Sequence, residues 1–122
     1  MYKRVFIVAE GQWGMVTSEE YKEQVERYRR ILEEAKDFQG NRAAEVTIID
    51  TIAEAEKRLA TEADVVVFIS RGVEKAAERI VREHPRVRVI VFTGLIPEGK
   101  IVWVRKMFTA DRETIQNIVL HW

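Results

Sequence analysis

Apolar residues recur along this chain in two rhythms. Short, nearly unbroken runs, Arg4 to Ala9, Val46 to Ile49, Val65 to Ile69 and Val87 to Phe92, have the pattern of strands covered on both faces. Between them the spacing opens to three and four residues. Tyr21, Val25, Tyr28, Leu32 and Ala35, widened by Ile31 and Phe38, predict a long first helix that closes near Gly40; Thr17 and Glu20 supply a capping box at its start. Its outer face interleaves Glu23, Glu26 and Glu34 with Arg27, Arg29 and Arg30, which reads as a solvated face rather than a basic patch. Thr51 and Glu54 open a second helix with Ile52, Ala55, Leu59 and Ala63 on its buried side. A third carries Val73, Ala76, Ala77, Ile80 and Val81, and Pro85 stops it.

Strand and helix therefore alternate three times and end on a fourth strand, which predicts right-handed crossovers and a parallel sheet with helices on both faces. The fold class expected is α/β: a three-layer, doubly wound sheet in one Rossmann-like or flavodoxin-like domain over residues 1–122. Only Leu95 to Gly99 separates Thr93-Gly94 from the last apolar run, Ile101 to Val104. A parallel crossover takes a dozen residues or more, so the fifth strand is expected to turn back and lie antiparallel on the edge beside the fourth. Thr109 and Asp111 can cap a fourth helix bearing Ile115, Ile118, Val119 and Trp122.

Composition narrows the function classes. At 122 residues, 47% of them hydrophobic, the chain can bury about two-thirds of its unfolded surface around one core and is expected to fold alone. Twenty basic and twenty acidic residues leave no net field to draw nucleic acid or an anionic membrane, so neither partner is expected. With no cysteine, disulfides, thiolate metal sites and cysteine nucleophiles are excluded, in keeping with a reducing, cytoplasmic location. The apolar stretch near the amino terminus, Val5 to Ala9, is too short for a signal peptide or a membrane span. Abundant, interleaved Glu and Arg with few Asn and Gln match thermophile surfaces.

In an open α/β sheet, ligands bind beyond the carboxyl ends of the strands where the strand order reverses. That rule selects the loops at Glu10 to Gly14, Asp50-Thr51, Ser70 to Gly72 and Thr93-Gly94. In the first, Gly11 and Gly14 allow close backbone approach, Trp13 offers a flat face for a base or sugar, and Glu10 a carboxylate; the simpler alternative is a flexible turn with Trp13 folded back over the core edge. Ser70-Arg71-Gly72 precedes a helix whose amino-terminal N–H groups attract anions, and Arg71 can clamp a phosphate or carboxylate unless it stands in solvent. Thr93 can add a hydroxyl to the same crevice or simply end its strand. No dinucleotide fingerprint or P-loop occurs, no residues show metal-ligand spacing, and no cofactor is indicated. His84 and His121 read as surface histidines, one before a helix-ending proline and the other next to the carboxyl terminus.

The element order, with Thr93 ending the fourth strand and Lys106-Met107-Phe108 after the fifth, resembles the response-regulator receiver domain. That family accepts phosphate on an aspartate ending the third strand; here that strand ends Ile69-Ser70, and Glu10 stands alone where the family has an acidic pair. Asp64 to Gly72, with its Ser70-Arg71-Gly72 loop, is similar to propionate-regulator sensor domains, a likeness that implies a small carboxylate or phosphorylated metabolite as ligand. Glu10-Gly11 also resembles the Toprim loop, but the Asp-x-Asp that family needs for magnesium is replaced by Ser70-Arg71-Gly72.

The expected function is a non-enzymatic, small-anion-binding or regulatory domain with Glu10, Gly11, Trp13, Gly14, Ser70, Arg71, Gly72 and Thr93 at its site. The alternative is an enzyme acting on a nucleotide or phosphosugar, with Glu10 as acid or base. A homodimer through the fifth strand is a further expectation, since Ile101 and Trp103 on one face and Val102 and Val104 on the other make it apolar for an edge.

Overall fold

The computed structural model describes residues 3–10, 18–69, 72–93, 102–105 and 112–121. Its elements follow in the order β1 (Lys3–Val8), α1 (Ser18–Glu33), β2 (Ala44–Ile49), α2 (Ile52–Glu62), β3 (Val65–Phe68), α3 (Glu74–Glu83), β4 (Arg88–Thr93), β5 (Val102–Arg105) and α4 (Arg112–Gln116), which runs on into a π-helical turn, Asn117–His121. The strands form one sheet in the order β2-β1-β3-β4-β5. The chain therefore starts in the middle, winds outward to β2, returns past β1 to β3, and winds outward again in the other direction.

Covering both faces of the sheet explains the unbroken apolar runs, because successive residues of a strand point to opposite sides. Val5 and Ile7 of β1, Val65 and Val67 of β3, and Ile90 and Phe92 of β4 share one core with Tyr21, Val25 and Tyr28 of α1 and Ile115 of α4. Their neighbours Phe6 and Val8, Val66 and Phe68, and Val89 and Val91 share the other with Leu59 of α2 and Ala77 and Ile80 of α3. The three layers expected are thus present, with α1 and α4 on one face and α2 and α3 on the other. Tyr28 and Phe92 stack across the first core, ring centroids 5.1 Å apart, and burial pushes the Tyr28 phenol above its ordinary pKa, against a smaller opposing effect of Arg27.

Two expectations need correction. The first helix ends at Glu33 rather than near Gly40, and Phe38 lies beyond it, fully exposed. After the helix the chain turns through a compact loop in which the Asp37 carboxylate accepts from the amides of Gln39 and Asn41, both at 2.9 Å. Gly40, at φ +81°, takes the left-handed conformation that this reversal uses. Local hydrogen bonds from an Asp-Phe-Gln-Gly-Asn segment compete successfully with one more helical turn.

The second correction concerns β5, which lies beside β4 but parallel to it, pairing Ile90 with Val102 and Thr93 with Arg105. The dozen-residue rule describes crossovers along full-length strands. Because β5 is four residues long and begins beside Ile90, the chain leaving Thr93 has to come back only about 10 Å along the strand axis and shift about 4.8 Å sideways. Eight residues reach that comfortably.

At the amino end of the sheet Arg4 and Asp64 lock β1 to β3. The Arg4 guanidinium meets Asp64 through Nε at 3.2 Å and Nη2 at 3.1 Å, and its amide donates to Asp64 Oδ2 at 2.9 Å. The Arg4 side chain, first through its hydrogen bonds, holds the Asp64 carboxyl below the usual aspartate range. A depressed folded-state pKa contributes stability that is present above the unfolded value and is lost as pH falls through the folded one. Both side chains are more than two-fifths exposed, so the contribution is below about 1 kcal/mol. Denaturation midpoints of the wild type and Asp64→Asn should differ at pH 7 and converge as the pH drops below about 4; a gap that persists at pH 2 would assign the effect to packing instead.

Candidate functional site

The strand order puts the point of reversal between β1 and β3, whose ends are adjacent because Val8 pairs with Phe68. The carboxyl ends of these strands are where the fold opens a crevice. Glu10, Gly72 and Thr93 all lie at this end of the sheet: Glu10 two residues past β1, Gly72 between β3 and α3, and Thr93 as the last residue of β4. Gly11, Trp13, Gly14, Ser70 and Arg71 fall outside the described residues.

Glu10 has a structural partner. Its half-buried carboxylate accepts from the Ile52 amide at 2.7 Å, in the first turn of α2. Thr51, in the N-cap position, accepts from the Glu54 amide at 3.1 Å, so the Thr51–Glu54 spacing does cap this helix. Two oxygens, one local and one from 42 residues away, thus serve amides that have no intrahelical acceptor, and the negative carboxylate suits the positive end of the helix. The start of α2 is occupied by the protein itself.

The start of α3 is built differently. Its N-cap position is held by Val73, a side chain with no acceptor to offer. Gly72 precedes it at φ +75°, exposed and in a backbone conformation that other residues rarely adopt. Val73 itself is buried against the α2–α3 core, so the residue that fixes the direction of the helix is an apolar anchor. The N-cap residue of α3 therefore makes no side-chain hydrogen bond to the opening amides of the helix.

The same end of the molecule contains a cavity of about 440 Å³ that the loop reading does not identify. It lies between α1 and the β1–β2 edge and is lined by Tyr21, Lys22, Val25, Glu26, Ile48 and Asp50 among others. Of these, only Asp50 belongs to the loops selected from sequence. Tyr21 and Val25 read from their spacing as ordinary core residues, and nothing in one-dimensional periodicity shows that the core stops short at an edge. A smaller, polar cavity of about 190 Å³ at the amino end of β1 and β2 includes Arg4, Arg58 and Glu62. There Arg58 pairs with Glu62 at 3.0 Å and lies 5.3 Å from the centre of the Phe6 ring.

Among the described residues no cluster of three or more histidine, aspartate or glutamate side chains is arranged to hold a metal ion. No described helix is long and apolar enough to cross a membrane. His84 ends α3, its amide donating to the Ile80 carbonyl at 2.7 Å. Comparison with protein-family models, with curated proteins and with solved structures finds no match to this chain.

Proposed function

We propose that this domain binds a small anion, a phosphate or carboxylate group, beyond the carboxyl ends of β1 and β3, and that it acts as a binding or regulatory domain rather than as an enzyme. The observation that carries the reading is the contrast between two neighbouring helix starts. At α2 the amides are met by Glu10 and Thr51; at α3 the N-cap residue is Val73, preceded by Gly72 in a left-handed conformation. Ser70 and Arg71 immediately precede that glycine in the chain, which adds a hydroxyl and a fork-shaped cation to a helix terminus that already favours negative charge. Glu10, engaged with α2, supports the non-catalytic part of the reading. The likeness of Ser70-Arg71-Gly72 to propionate-regulator sensors points to the same ligand class.

Thermal unfolding in the presence of inorganic phosphate, propionate and a nucleoside monophosphate tests this. A ligand at a hundred times its dissociation constant adds about 2.7 kcal/mol, a rise of several degrees for a domain of this size. Arg71→Ala is expected to weaken binding of the responding anion by about tenfold or more, the worth of a charge-assisted hydrogen bond. Binding that is indifferent to Arg71→Ala overturns the clamp. Turnover of a nucleotide or phosphosugar that disappears in Glu10→Gln would establish the enzymatic alternative.

A further inference from the structure

We draw no further inference here: the strongest candidate, the surface patch made by exposed Phe38 on the loop between α1 and β2 together with the outer edge of β2, carries nothing because nothing in the structure shows what covers it.

Discussion

Phe68→Ala is expected to lower the free energy of unfolding by about 3–5 kcal/mol, the usual consequence of removing a fully buried aromatic ring. Phe68 is completely buried at the end of β3, between β1 and β4 in the sheet, and belongs to the core under α2 and α3 with Val8, Leu59 and Ile80. The change removes apolar surface from the core, and it also leaves a cavity that a strand hydrogen-bonded on both sides cannot easily collapse into. Domains of this kind hold about 5–15 kcal/mol in total, so the variant should unfold at a much lower urea concentration with an unchanged slope. Val46→Ala, on half-buried edge strand β2, should cost much less. A loss below about 1 kcal/mol for Phe68→Ala would mean that this face is not packed as described.

Arg88→Met should cost about 1–3 kcal/mol and should loosen one part of the molecule more than the rest. Arg88 opens β4, and its guanidinium donates to the Ile118 carbonyl at 2.9 Å and the Val119 carbonyl at 3.4 Å. Burial shifts its pKa downward, so the charge is held in a partly desolvated place by two carbonyls at the negative end of the last helix. Methionine keeps much of the apolar stem and deletes both donors, which leaves the carbonyls short of partners. Arg88→Lys should recover only part of the loss, because one ammonium cannot reproduce the planar fork. Among the described residues the segment is also tied by Gln116 to the Ile31 carbonyl at 2.8 Å and by Arg112 to Glu34 at 2.8 Å, and packs through Ile115, Val119 and Leu120. Amide hydrogen exchange should therefore accelerate over residues 112–121 before the central strands respond. Uniform acceleration would show that the segment does not open separately.

The apolar runs made β1, β3 and β4 legible because a strand buried on both faces must be apolar along most of its length, and few other structures impose that demand. Thr51 with Glu54 was legible for a different reason: a capping contact spans three residues and needs no help from the rest of the fold. Phe38 was misplaced because periodicity says which residues can share a helix face and not where the chain leaves the helix. The hydrogen bonds of Asp37 settle the exit, and they exist only once the loop has closed. Glu10 shows the same limit at the candidate site. In sequence it is a lone carboxylate after a strand, available for chemistry; in the fold it serves the Ile52 amide.

By itself, then, the sequence determined the alternation of strands and helices and the parallel sheet with its two covered faces. All of these follow from local periodicity and from the handedness of connections. Only the tertiary structure decided the order β2-β1-β3-β4-β5, the parallel direction of β5, the cavity beside β2 and the exposure of Phe38. Those features depend on which surfaces meet across distances of tens of residues, and the free energy of such meetings is written in no single stretch of the chain.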